Sequence, residues 1–260
     1  MAPGLNRRAA TLAFAVGQVA LPGLLFANGF EPAQAPRPSA GPTPVEPAGY
    51  AFIIWGLIYL GALAYALYQA RPTLAGDPLL ARIGWLTAGG YGLTCLWLVV
   101  ARVGPLWATV PVITGMLCLL ARAFLIACRW PGRASAGRRW LVTTPLALFA
   151  GWLTAATFVN AAEVLPLYGF GRFGLSVEAF SLGIVAAASL LALVILRLSR
   201  WNLAYGLTVA WALGGIVVAN LQRDLSTAVA LLAGGIALGL LVALAIMAAR
   251  MMTTRRGRMA

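Results

Sequence analysis

Residues Glu46–Arg71 read EPAGYAFIIWGLIYLGALAYALYQAR, and this stretch decides the fold. Pro47 and Gly49 break the preceding loop, and no charged residue then appears before Arg71, so the run is long and apolar enough to cross a membrane as a helix. A lipid anchor needs only that apolar length. Here Phe52, Trp55 and Tyr59 also recur at i, i+3 and i+7, which puts three large rings on one helical stripe. Such a stripe is either a packing seam against neighbouring helices or one wall of a ligand site.

The rest of the chain repeats the pattern. It is 62% hydrophobic and only 10% charged, too few polar residues to cover the surface of a soluble fold of this length. At about 20 apolar residues per helical span, eight spans fit, near residues 9–28, 50–70, 81–101, 104–128, 139–163, 176–198, 202–221 and 226–248. The class is therefore all-α, a polytopic membrane helix bundle. Gly104 and Pro105 stop the third span and make a tight hairpin with the fourth. The first run, from Arg7-Arg8 to Ala27 followed by Ala33-Gln34-Ala35, also fits a secretory signal with its cleavage site. Pro22 and Gly23 inside a run of nearly full spanning length favour a retained helix.

All nineteen basic residues are arginine. With the N-terminus in the cytoplasm, only Arg37, Arg102, Arg172 and Arg223 fall outside, and five of the six acids (Glu31, Glu46, Glu163, Glu178, Asp224) lie at or near the outer side. This is the positive-inside bias, and it predicts cytoplasmic N- and C-termini. The net charge of +13 is then no sign of nucleic-acid binding, because the arginines are dispersed at helix ends where the bilayer's anionic headgroups are the partners.

What is missing narrows the chemistry. The chain has no histidine, which excludes imidazole-ligated haem, the usual zinc sites and histidine acid–base catalysis. Cys95, Cys118 and Cys128 have no metal-ligand spacing and read as small apolar packing residues. No phosphate-binding or dinucleotide motif is present. No metal ligand, catalytic residue or obligatory cofactor is assigned.

The loops carry less. Residues 29–49 hold six prolines and read as an extended external spacer, the other reading being a lid over the outer mouth of the bundle. The external loop LPLYGFGRFGLS, residues 165–176, reads as an interfacial segment packing back on the bundle. Trp107, Trp130, Trp140 and Trp201 sit near span ends, as an aromatic belt does. Gly235 and Gly239 form G-x-x-x-G in the last span, a close-packing face for an internal neighbour or a homodimer. Asn220, nine residues after Trp211, is an interhelical hydrogen bond or a ligand contact.

The fifth span, TPLALFAGWLTAATFVN, places Trp152, Ala156 and Asn160 at i, i+4 and i+8, with Pro145 seven residues before the tryptophan. Together with PAGYAFIIWGLIYL it resembles the TspO/MBR family, the tryptophan-rich sensory proteins related to the translocator protein (peripheral benzodiazepine receptor). The resemblance covers about residues 9–163. It implies a five-helix core over 1–163, an external loop at 164–175, a three-helix C-terminal extension over 176–249 and a basic cytoplasmic tail at 250–260. It also implies a pocket for porphyrins, haem-type or other tetrapyrroles, sterol-like molecules or other lipophilic ligands. Carried over by position, the ligand-binding residues are Phe52, Trp55, Tyr59, Pro145, Trp152, Ala156 and Asn160. The loop after the first span lacks the family's tryptophans, and the third span offers Tyr91, Thr94, Cys95 and Trp97 where the family has an Asn-x-x-Trp-like signature.

The leading function is thus an integral membrane ligand-binding sensor in a bacterial-type inner membrane. A transporter of a lipophilic metabolite would want a mid-span acid or arginine to couple an ion, and none stands out. An intramembrane enzyme lacks a nucleophile–base pair. A structural subunit of a membrane complex is the remaining alternative.

Overall fold

In lipid a backbone must satisfy its own N–H and C=O groups, and in the computed structural model all eight spans do so as helices. The structure describes residues 4–28, 42–132 and 134–256, with side chains through residue 250. The helices are α1 (Leu5–Ala27), α2 (Gly49–Ala70), α3 (Pro78–Val103), α4 (Leu106–Arg129), α5 (Ala136–Tyr168), α6 (Val177–Leu198), α7 (Leu203–Arg223) and α8 (Thr227–Arg250). Helical backbone continues beyond α8 to Arg256. The Ala33-Gln34-Ala35 site, Glu31, Arg37, Arg133, Arg258 and most of the proline-rich segment lie outside the described residues.

Local chemistry sets where the helices begin. Asp77 accepts the Leu80 amide at 2.9 Å ahead of Pro78, Ser176 that of Ala179 at 3.1 Å, and Asn202 that of Tyr205 at 3.1 Å. Each caps a helix N-terminus with a side-chain oxygen. α5 starts less regularly. A single α turn, Ala136–Arg138, runs into a π turn, Arg139–Thr143, and Pro145 falls in the first turn of the α-helix that follows. Proline cannot donate to the preceding turn, and in the first turn that costs no hydrogen bond.

Helices α1, α2, α5, α4 and α3 close into a ring in that order, each packed on the next. α6 and α7 also pack on α5, and α8 closes against both of them. α5 is therefore shared by the ring and by the three C-terminal helices. Its contact with α7 is tight at Gly151, where a Cβ would lie 2.9 Å from Thr208 Cβ and 3.0 Å from the Tyr205 carbonyl oxygen. Thr154 spends its one hydroxyl proton on the Ala150 carbonyl at 2.8 Å, so the Tyr205 hydroxyl, 2.9 Å away, donates to Thr154.

Several expectations need correction. Arg7 and Arg8 are buried, and Arg8 donates to the carbonyls of Gln69 and Ala70 rather than facing lipid. Those carbonyls end α2 and carry the negative end of its dipole, which favours a cation there. Gly235 and Gly239 meet no neighbour, since a Cβ on either would touch nothing within 4 Å, so they are not an internal packing face. The 165–176 loop does not fold back, because Phe170, Phe173 and Leu175 are all exposed. Left-handed turns at Gly169 and Gly174 direct it away from the bundle. Cys118 is exposed rather than packed.

The Gly151 contact can be tested by thermal unfolding in detergent. Gly151→Val should destabilise the protein by about 1–3 kcal/mol by forcing α7 off α5. Gly56→Ala, at a position open to 4 Å, should be neutral or slightly stabilising.

Candidate functional site

The site is built where α2 begins. After Pro47 the chain enters a 3₁₀ turn, Gly49–Ile53, before becoming α-helical at Ile54, and this turn aims Phe52 toward α5. There the Phe52 ring meets Trp152 at 5.7 Å between centroids and 80° between planes. Trp55, one turn on, meets the same indole at 6.1 Å and 79°, and Phe149 at 5.9 Å and 89°. These are edge-to-face contacts, the arrangement ring quadrupoles favour. The two stripes read from the sequence therefore face one another.

Between them lies a cavity of about 160 Å³. Of the seven candidate residues, Phe52, Trp55, Trp152, Ala156 and Asn160 line it. Tyr59 and Pro145 do not. Tyr59 lies against Trp55 at 5.3 Å, one turn further into the membrane, and Pro145 packs against Gly61 of α2, 3.2 Å from where a Cβ would stand. Pro145 thus holds α2 to α5 below the cavity. Asn160 Oδ1 lies 3.1 Å from the Thr109 hydroxyl, an interhelical bond to α4 made by the same side chain that lines the cavity.

The structure adds walls that sequence reasoning missed. Trp97 of α3, Ile113 of α4, and Ala212 and Ile216 of α7 also line the cavity, with Glu46, Pro47 and Glu163. Trp97 was visible as an aromatic in YGLTCLW. Ala212 and Ile216 had no signature, because small aliphatic residues occur everywhere in such helices. The indole N–H groups of Trp97 and Trp152 are both buried and lack a hydrogen-bond partner among the described residues. Two unpaired donors in an apolar setting are costly unless something meets them.

The segment before α2 covers this cavity, which reverses the spacer reading for residues 42–49. Val45 and Ala48 are buried. The Ala48 amide donates to the Gly215 carbonyl at 2.9 Å, Asn220 Nδ2 to the Pro44 carbonyl at 2.7 Å, and Trp211 Nε1 to the Ala51 carbonyl at 2.9 Å. Arg223 pairs with Glu46 at 3.4 Å, and Thr43 donates to Glu163 at 3.4 Å. Gly215 is required here, since a Cβ would lie 2.8 Å from that of Ala51 and 3.0 Å from that of Pro47. Trp211 and Asn220, which resemble the Trp152–Asn160 pair in sequence, thus act as straps for the cover.

The sequence model of the TSPO-like protein family matches residues 10–247. The chain belongs to that family. The match runs through all eight helices of this TSPO-like protein, past residue 163 where the resemblance read from its motifs stops. Neither a curated protein nor a solved structure matches the chain.

Trp211→Phe removes one strap without emptying the space the ring fills. At about 0.5–1.5 kcal/mol for the lost bond, amide exchange in a peptide covering residues 44–54 should rise several-fold. Peptides from the α3–α4 hairpin should exchange as in the parent protein.

Proposed function

We propose that this TSPO-like protein is a membrane-embedded sensor that binds a flat lipophilic molecule, porphyrin-like or otherwise, between α2 and α5. One observation carries the reading: Trp55 and Trp152 line one cavity, and the indole N–H groups of its wall residues Trp97 and Trp152 have no hydrogen-bond partner among the described residues. Rings supply broad apolar contact to a flat ligand, and the indole N–H groups orient any acceptor on its edge. Pockets for drug-sized ligands usually hold about 300–1,000 Å³, so the cavity as it stands admits a smaller molecule. A tetrapyrrole needs the 42–49 cover to lift and the rings to part. The transporter reading gains nothing, as every acid of the described residues lies at a span end.

Titration of protoporphyrin followed by its absorbance tests the site. Trp55→Ala and Trp152→Ala should each weaken binding by about 1–3 kcal/mol, and the double variant by less than the sum, because the two rings share one ligand. Trp140→Phe, at an exposed ring stacked under Arg139, should bind as the parent does. With no histidine in the chain, haem should bind about as well as the metal-free ring and show no imidazole ligation. Parent affinity in both alanine variants, with helical content intact, would make the stripes packing seams and favour a structural role.

The same proposal has both termini in the cytoplasm, on the strength of the arginine bias, and the membrane a bacterial-type inner one, on the resemblance to the family's long form. In a background with Cys95, Cys118 and Cys128 replaced, Ser135→Cys should be labelled only from the cytoplasmic side and Leu175→Cys only from outside. Labelling of residue 135 from outside would reverse the orientation.

A further inference from the structure

A second feature stands apart from the aromatic cavity, on the face where α3 and α4 run side by side. A groove of about 540 Å³ is lined by Arg82, Arg122 and Arg129 with Leu125, Ile126 and Trp130. The three guanidinium groups belong to exposed residues, and no acid lines the groove. Arg82 and Arg122 have no hydrogen bond or ion pair within the described residues. Arg129 donates one N–H to the Leu198 carbonyl at 2.8 Å, which fixes it at the rim. The nearest acid in sequence, Asp77, caps α3 through the Leu80 amide and lines a different recess with Tyr68 and Arg138.

Depth makes this arrangement informative. At 1.5 Å per residue, Arg122 lies about 10 Å up α4 from Arg129, and Arg82 about 6 Å into α3 from Pro78. An exposed side chain at those levels meets lipid, where an unpaired guanidinium is expensive. Its aliphatic stem can lie along the helix while the head reaches the phosphate layer. An anion between them would relieve the repulsion of like charges gathered on one groove. Leu125 and Ile126 line the groove between the levels of Arg122 and Arg129, and Cys118 continues it one turn deeper than Arg122.

We propose that this groove is a binding site for one anionic phospholipid, its phosphate held by Arg82, Arg122 and Arg129 and an acyl chain lying along Leu125 and Ile126. Arginine suits the task because its planar fork meets phosphate oxygens in pairs. Trp130, at the end of α4, gives the glycerol level an amphipathic ring. The site is independent of the cavity between α2 and α5.

The experiment uses the full chain in nanodiscs of phosphatidylcholine with or without phosphatidylglycerol, reading retained lipid by native mass spectrometry and unfolding temperature by differential scanning. The parent should retain phosphatidylglycerol preferentially and unfold at higher temperature with it. Arg82→Gln/Arg122→Gln should lose roughly thirtyfold of that preference, about the effect of two surface arginines on an anionic lipid. Arg82→Lys/Arg122→Lys should keep most of it, which guards against a folding defect in the glutamine pair. Arg138→Gln/Arg139→Gln removes the same charge from the same end of the bundle and should keep the preference. Equal phosphatidylglycerol retention in parent and glutamine pair overturns the site. Loss of the preference in the Arg138/Arg139 pair to the same extent would reduce it to general surface charge and overturn it too. Inorganic phosphate reproducing the arginine-dependent temperature shift would make it an anion site without a lipid, and would likewise overturn the proposal.

Discussion

The packing of α5 governs everything else in this bundle. A helix apolar on all sides gains nothing from hydrophobic burial in lipid, where the tails are as apolar as its neighbours, so its partners are chosen by close fit and internal hydrogen bonds. α5 is such a helix. Its contacts with α2 at Pro145 and Gly61, and with α7 at Gly151, depend on the absence of side-chain bulk. The Thr154–Tyr205 bond adds a polar tie that lipid cannot replace. Once these fits are made, Trp152 has only one direction left, toward the rings of α2.

α7 has a second task that its distance from the motifs concealed. Gly215, Trp211 and Asn220 hold the 44–51 segment through three hydrogen bonds, and Arg223 adds an ion pair to Glu46. Three neutral bonds at about 0.5–1.5 kcal/mol each amount to roughly 3 kcal/mol. The partly exposed ion pair contributes little more. A cover held by that much is open on the order of one per cent of the time, and any ligand that needs it open binds with its affinity reduced by that fraction. On the proposed ligand-binding reading, the straps would lower apparent affinity without touching the ligand.

The fold was legible because its signals are long and redundant. Eight apolar runs, broken at Gly104-Pro105, leave few other ways to arrange the backbone. The site was legible only in part. Spacing alone marked the rings of α2 as a stripe, and the family resemblance named Phe52, Trp55, Trp152, Ala156 and Asn160, which line the cavity. Tyr59 and Pro145 share the stripes but fall beyond the cavity, since a stripe runs the length of a helix while a cavity occupies two turns. Ala212, Ile216 and the buried backbone of Val45–Ala48 could not be read, because their roles come from the neighbours that α5 brings to them.

The cavity consequently belongs to neither the ring nor the three C-terminal helices alone. Four of its walls come from α2, α3, α4 and α5, and Ala212 and Ile216 of α7 supply another. The cover is anchored almost entirely on α7, apart from the Thr43–Glu163 bond to α5. The family match is consistent with this geometry in running through residue 247. A ring of α1–α5 without α7 would leave Pro47 and Ala51 facing lipid where Gly215 now lies, with the Ala48 amide stripped of its partner and the Ala51 carbonyl left with the Ile54 amide alone. Each unpaired backbone group in hydrocarbon costs several kcal/mol, so the start of α2 would rearrange and carry Phe52 and Trp55 with it. The cavity is thus built jointly by α2, α3, α4, α5 and α7.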